Sequence, residues 1–244
     1  MNSFSFSEYS AKNVQFFDDK ASDFLKFALF MLSSISHTRS ILDLGCGDGS
    51  ILFALYKKSF LKQADNVVGV DLSETRIKRV RMALPFVRGI TSNALNVEEL
   101  PDSSFDFIIC SQLIEHVDDK LLLLEIKRLL AKRGLVYIST VVKKSYGVYF
   151  YFKEGSFRLD PTHVREYHSA KEFIDLLSNE GFDIVAIRNQ HVMFPLLDLI
   201  IRFLIKFGII QPNVNFYNDH KVQKARKLKM PIIGWYFLEV LMKK

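Results

Sequence analysis

The chain has 244 residues, 49% hydrophobic and 25% charged, which is ordinary for one globular domain with a full core. No repeats or low-complexity linkers are present, which excludes a repeat architecture. The formal net charge of +6 permits acidic partners without requiring one. Two cysteines cannot make a disulfide framework, and the first residues lack the pattern of a secretory signal. The sequence therefore predicts a cytoplasmic protein.

The order of predicted elements indicates an α/β fold. Residues 8–34 are predicted to form one or two leading helices. From residue 40 to residue 140, apolar strands alternate with amphipathic helices, which predicts a parallel sheet with helices on both faces. Helices are predicted over residues 73–82 and from Asp118 or Asp119 to Gly134, a glycine that is typical of a helix end. Ser169 and Glu172 have the spacing of a capping box and open another helix. Strands are predicted at 182–189 and 234–242, all within a single domain spanning 1–244.

A glycine-rich turn at residues 40–49 is the most informative segment. The mainly apolar run SILDL carries an acidic residue, Asp43, next to its end. It is followed by Gly45, Gly47 and Gly49 at alternate positions and then by a helical pattern. Glycine permits a positive φ and lets a ligand approach the backbone. Several N–H groups can then face that ligand at the helix N-terminus.

Three further segments with recognisable patterns follow the glycine turn along the chain. They are NVVGVDLS at residues 66–73, TSNA followed by LPDSSFDFIIC at residues 91–110, and SQLIEHV at residues 111–117. Together with the glycine turn, this series resembles the class I S-adenosylmethionine (SAM)-dependent methyltransferases. The resemblance implies a Rossmann-like seven-stranded sheet whose last strand is antiparallel. It also implies SAM as cofactor and S-adenosylhomocysteine as product.

The resemblance assigns the cofactor-binding residues. Asp71 ends the second strand and would accept hydrogen bonds from the ribose hydroxyls; its alternative role is an ordinary helix N-cap. Asn93 stands where the family usually has Asp and would contact the adenine through its amide oxygen. The full predicted set is Asp43, Gly45, Gly47, Asp71, Leu72, Asn93, Ala94 and Ser111.

Two histidines are the candidate catalytic residues. His163 lies in a segment that resembles the one before the fifth helix of the family, and His116 follows the fourth strand at the rim of the predicted SAM cleft. Histidine is suited to general-base catalysis near neutral pH if the acceptor is a hydroxyl. The alternative for each is a hydrogen-bonded structural histidine. Arg158 and Arg165 could bind an acidic substrate group or form ion pairs.

A metal-dependent mechanism is the weaker interpretation. Some methyltransferases of this fold use an E-x-x-E-H motif, and the RNA-methylating ones add a later histidine. Here the first carboxylate is replaced by Gln112, followed by Glu115 and His116. A neutral amide is a poorer ligand than a carboxylate for a hard cation. The sequence therefore predicts no bound metal.

Two stretches exceed the minimal fold, at residues 143–168 and 190–233, and are predicted to form a helical cover over the substrate. Within the second, residues 195–210 are predicted to form a helix with a broad apolar face and a narrow charged stripe of Asp198, Arg202 and Lys206. A basic run follows. Residues 195–229 could pack on the domain, contact a membrane surface, or bind nucleic acid, the last being least favoured.

The sequence thus predicts a SAM-dependent methyltransferase that acts on oxygen of a small or lipid-linked acceptor. The alternatives are an RNA or tRNA methyltransferase and a non-catalytic SAM-binding module. A cytoplasmic protein with membrane association is compatible with all of these expectations.

Overall fold

The computed structural model describes residues 21–33, 40–62, 64–148, 151–153, 155–210 and 219–244. The strands are β1 Ser40–Leu44, β2 Asn66–Asp71, β3 Arg88–Thr91, β4 Phe105–Ser111, β5 Leu130–Lys143, β6 Tyr151–Lys153, β7 Ser156–Arg158, β8 Asp183–Pro195 and β9 Lys229–Lys243. The helices are α1 Asp23–Ser33, α2 Ser50–Lys57, α3 Glu74–Ala83, α4 Asp119–Leu129, α5 Ala170–Asn179, α6 Leu196–Lys206 and α7 His220–Ala225, with a 3-10 turn at Ile114–His116.

Seven strands form one sheet in the order β3-β2-β1-β4-β5-β9-β8. The first five strands in this order pair in parallel with their neighbours, and β9 runs antiparallel between β5 and β8. The predicted seven-stranded Rossmann-like sheet with an antiparallel last strand is therefore confirmed. Strands β6 and β7 form a separate hairpin within the first predicted insertion.

Helices cover both faces of the sheet and bury two apolar clusters. On one face α1, α2 and α3 pack against β1 and β4, for example through Leu25, Leu52 and Phe107. On the other face α4 and α5 pack against the same sheet, for example through Ile126 and Phe173. A central parallel sheet must be apolar on both sides, which explains the nearly continuous hydrophobic strands.

The structure changes two predicted boundaries. Gly134 was expected to end helix α4, but the helix ends at Leu129 and Gly134 lies inside β5. A Cβ on Gly134 would meet Leu130 Cδ1 at 2.6 Å and the carbonyl oxygens of Phe105 and Asp106 at 3.0 and 3.1 Å, so glycine is favoured there by crowding from Leu130 and from the neighbouring strand β4. Part of the predicted 190–233 insertion is strand, because β8 and β9 remain paired as far as Pro195 and Lys229.

The carboxyl ends of β1, β2, β4, β5 and β8 meet at one edge of the sheet, since these strands run in the same direction. In open α/β sheets, ligands bind outside this edge. The glycine turn, the 3-10 turn and the β8–β9 extension all emerge there, and this arrangement positions the candidate site.

Candidate active site

The glycine turn between β1 and α2 has the backbone conformation that its sequence predicts. Gly45, Gly47 and Gly49 all have positive φ, at 80°, 56° and 79°. A Cβ on Gly45 would also meet the Leu113 side chain at 2.9 Å. The Gly45 and Cys46 amides donate to the carbonyl oxygen of Val70 at the end of β2, which holds the turn against the neighbouring strand.

Asp71 holds the turn to the second strand. Its Oδ2 accepts from the Gly47 amide at 3.0 Å and its Oδ1 accepts from the Ser73 amide at 2.8 Å. The N-cap of α3 is Ser73, whose hydroxyl accepts from the Arg76 amide, so the alternative role for Asp71 as N-cap is wrong. A carboxylate has about four acceptor sites, so Asp71 keeps capacity for ribose hydroxyls after these two bonds.

Asp43 is a buried carboxylate beside this turn. Only 1% of it is exposed, and its Oδ2 accepts no hydrogen bond from the described residues. Burial, and then the nearby charge of Asp71, raise the pKa of Asp43 to about 8. An uncompensated buried acid is costly. A cationic ligand group at this position would relieve that cost.

The remaining predicted cofactor residues lie along the same edge. Leu72 is 56% exposed, and Ala94 is buried against the core. The Asn93 amide oxygen accepts from the Leu95 amide at 3.0 Å, so it already closes a local turn. The Ser111 hydroxyl is 2.9 Å from that of Ser139 on the adjacent strand. These hydrogen bonds within the protein hold Asn93 and Ser111 in place at the sheet edge.

The two predicted catalytic histidines are brought together. Their rings lie at 4.7 Å between centroids in an edge-to-face arrangement. His116 belongs to the 3-10 turn after β4, and the segment carrying His163 is held to it by the Val164 amide, which donates to the Glu115 carbonyl oxygen at 2.9 Å. The Lys143 amide donates to the Tyr167 carbonyl oxygen and fixes the far end of that segment.

Glu115 completes a group that we call the proton cluster, made of Glu115, His116 and His163. One side-chain ligand atom from each lies within 4.8 Å of the others. Glu115 and His163 are buried, and His116 is the most accessible of the three. Glu115 was not among the predicted catalytic residues; its place beside a histidine after an apolar strand was the available signal.

The hydrogen bonds of His116 determine its tautomer. The Thr162 hydroxyl donates to Asp160 Oδ1 at 2.6 Å, and His116 Nδ1 lies 2.9 Å from the same hydroxyl oxygen. Since the hydroxyl proton is used by Asp160, Nδ1 must donate its own N–H. The lone pair of neutral His116 is therefore on Nε2. Burial and the charge of His163 lower the pKa of His116 to about 4, which keeps it neutral.

The other two members of the cluster both have a raised pKa. Burial lowers the pKa of His163, but its 3.0 Å contact with Glu166 and the charges of Glu166, Glu115 and Asp160 together raise it. Burial raises the pKa of Glu115 to about 7, opposed by the charge of His163. Groups this close exchange protons as a unit. The proton cluster can therefore take up a proton around neutral pH.

The same three residues also form a ligand set that could hold a metal ion. Each histidine has its Nδ1 engaged, by Thr162 or by Glu166, which is the usual support for a metal-binding imidazole. The predicted absence of a metal rests on Gln112 and stays a prediction. Activity retained after dialysis against a chelator would support it.

The two candidate substrate-binding arginines have partners within the fold. Arg165 pairs with Asp119 at the start of α4, and Arg158 donates to the His163 carbonyl oxygen at 3.2 Å. Both therefore help to hold the His163 segment in place.

The strand order, and a glycine turn that contacts the acidic residue at the end of the second strand, are typical of Rossmann-like methyltransferases. A family model described as "Methyltransferase domain" matches residues 12–187, more than half of the chain. The chain belongs to this methyltransferase domain family. The predictions of the class I SAM-dependent methyltransferase family, of the enzyme class and of SAM as cofactor are confirmed.

Similar proteins include a probable S-adenosylmethionine-dependent methyltransferase of Mycobacterium tuberculosis, 32% identical over 61% of this chain and 50% of the relative. A ubiquinone biosynthesis O-methyltransferase of Neisseria meningitidis is 31% identical over 44% of this chain and 47% of that protein. The chain thus spans about half the length of these curated relatives. A solved candidate methyltransferase of Bacillus halodurans has a TM-score of 0.63 at 18% identity, with 91% and 99% of the two chains covered.

The described residues fit SAM. The cofactor carries a sulfonium and an ammonium group, and Asp43 offers, beside the glycine turn, a buried carboxylate oxygen that has no hydrogen-bond partner within the described part of the chain. The exposed Leu72 follows Asp71 directly and offers an apolar contact at the same edge. The positive charge of the ligand would therefore be complementary to the ionised carboxylate of Asp43.

Proposed function

We propose that the protein transfers a methyl group from SAM to an oxygen atom of a small or lipid-linked acceptor, and that the proton cluster accepts the hydroxyl proton. The observation that carries the proposal is the grouping of Glu115, His116 and His163 at the same sheet edge as the glycine turn. Such a proton-accepting group is useful for an oxygen nucleophile, whose hydroxyl is weakly nucleophilic while protonated.

SAM supplies an electrophilic methyl, so that a carbon–oxygen bond forms while the carbon–sulfur bond breaks and sulfur keeps the electron pair. The chain supplies the base and the orientation. His116 presents its Nε2 lone pair and is the most accessible member, so it is the group that contacts the acceptor hydroxyl. Glu115 and His163 lie behind it; the charge of Asp160 favours the imidazolium that results, and a charged His163 opposes it.

Two observations support the acceptor class. Ubiquinone biosynthesis O-methyltransferases are among the relatives, which favours oxygen as the methylated atom. The structure also exposes a row of apolar side chains on α6, at the same edge as the proton cluster, which favours an acceptor with a lipid part. A cytoplasmic location stays part of the proposal.

The test is methyl transfer from isotope-labelled SAM to separated lipid, sugar and tRNA fractions, with mass spectrometry of the product. We expect label in the lipid or sugar fraction, as a mass increase of one methylene on an ether or ester oxygen. His116→Gln should reduce transfer by about 100-fold or more while SAM still binds. Label in tRNA would favour the RNA alternative, and SAM binding without transfer to any fraction would favour a non-catalytic module.

A further inference from the structure

We infer that the described residues 196–210 and 219–229 form a docking surface for a membrane containing anionic lipid. On α6 and its C-cap, one row of apolar side chains faces outward. Leu196, Ile200, Phe203 and Phe207 are 37%, 50%, 54% and 62% exposed. Their spacing of four, three and four residues places them on one side of the helix. No described helix is long and apolar enough to cross a bilayer, so the contact would be peripheral.

The opposite side of α6 explains why this row stays exposed. Ile201 is 2% exposed, so the helix already buries its inner side against the domain. The Phe203 and Phe207 rings lie against each other with centroids 4.5 Å apart, which makes a continuous aromatic patch. Contiguous apolar surface of this kind marks an interaction site.

Basic residues accompany the apolar row. Lys221, Lys224, Lys227 and Lys229 are all exposed, and the only acidic residues among those described between Leu196 and Lys229 are Asp198 and Asp219. Asp198 is neutralised by Arg226, and Asp219 caps α7. An exposed apolar helix beside unneutralised lysines is the chemistry that an interface of acyl chains and anionic headgroups recognises.

The helix and the basic run are joined as one surface. Arg226 donates to both carboxylate oxygens of Asp198, at 2.8 and 2.9 Å, across the α6–α7 junction. The Leu196 amide donates to the Leu228 carbonyl oxygen at 2.9 Å, so that the exposed Leu228 and its lysine neighbours lie at the start of α6. The apolar and cationic parts can therefore meet one membrane together.

This surface is connected to the proton cluster. At its base, Ile232 and Trp235 pack with Leu159, just before the His163 segment. The Leu159 amide donates to Glu166 Oε1, the carboxylate oxygen that also contacts His163 Nδ1. Docking would place the candidate active site next to the bilayer. The docking surface stands on its own contacts; only its role in presenting an acceptor rests on the proposed function.

Liposome co-sedimentation tests the inference with the full chain. Vesicles of phosphatidylcholine alone are compared with vesicles that also contain phosphatidylglycerol. We expect binding only to the anionic vesicles, weakened by salt. Partitioning should fall about fivefold for each of Lys227→Gln and Lys229→Gln. Replacing Ile200, Phe203 and Phe207 together by serine should reduce it by at least about tenfold.

A matched control changes exposed residues of the same type elsewhere. Leu121→Ser and Leu124→Ser on α4, with Lys120→Gln, should leave partitioning unchanged. The inference is overturned by three results: no binding at any lipid composition, an equal loss in the control, or self-association without vesicles that the serine variant abolishes. SAM affinity, measured on the same samples, separates this outcome from failure of the proposed function.

Discussion

The buried carboxylate of Asp43 has a protonation state that should depend on whether a cationic ligand is bound. Its folded-state pKa of about 8 lies far above the ordinary value of 3.8. The folded protein therefore keeps a proton that the unfolded chain loses, so the free energy of unfolding falls as pH rises from about 4 to about 8. A cationic ligand favours the ionised carboxylate and opposes this loss.

We expect SAM binding near neutral pH to release up to about one proton from Asp43. Calorimetric titration in two buffers of different ionisation enthalpy measures this directly. The apparent enthalpies should differ for the wild type and agree for Asp43→Asn, which has no proton to release. Buffer-independent enthalpies in the wild type would mean that Asp43 does not sense the cofactor.

The proton cluster gives a prediction about the pH dependence of catalysis. Because the members of the cluster exchange protons as a unit, an ionised Glu115 favours uptake of the hydroxyl proton, so activity should rise with pH through the region near 7 where Glu115 titrates. The charge of His163 lowers the pKa of Glu115, so His163→Gln should move this rise to higher pH and reduce kcat by about 100- to 10,000-fold.

The measurement is kcat against pH for both forms. His168→Gln is the matched control, because His168 is exposed and lies five residues further along the same segment. It should leave both the rate and the profile unchanged. An unshifted profile with full turnover in His163→Gln would make His163 a structural histidine.

At the scale of elements, the Asp198–Arg226 pair joins α6 to α7. The side chains are 15% and 25% exposed, so removing one partner leaves the other poorly solvated. Arg226→Ala should reduce the local stability of α6 by about 1–3 kcal/mol. Hydrogen exchange of the α6 amides measures this, with Lys224→Ala as the exposed control. Unchanged protection in Arg226→Ala would show that the pair does not hold the two helices together.

Local patterns predicted the elements more reliably than their ends. The glycine turn, the Ser73 and Asp118 helix starts and the Ser169 cap depend on neighbouring residues, so they could be predicted from the sequence. The end of α4 could not, because Gly134 is favoured by crowding from Leu130 and from a strand distant in sequence, β4, and does not mark the helix end. Of the proton cluster, only His116 and His163 were predicted as catalytic residues. Their contact could not be predicted because they are 47 positions apart. The role of Glu115 depends on its burial beside them, which the sequence does not show.

At the scale of the whole molecule, one edge of the sheet carries all the proposed chemistry. The glycine turn and Asp71 lie at the ends of β1 and β2, and the proton cluster follows β4. The exposed α6 surface extends from β8 at the same edge. Cofactor, base and acceptor can therefore meet without rearrangement of the sheet, as in other doubly wound folds.

The most direct test of the account separates cofactor binding from methyl transfer in two variants. SAM affinity is measured by calorimetry, and methyl transfer is measured as a single turnover with labelled SAM and the lipid fraction. Gly47→Val, at a positive-φ position whose amide binds Asp71, should lose both. His116→Gln should keep wild-type SAM affinity and lose transfer by about 100-fold or more. Wild-type SAM affinity in Gly47→Val, or full transfer in His116→Gln, would contradict the assignment of this edge as a methyl-transfer site.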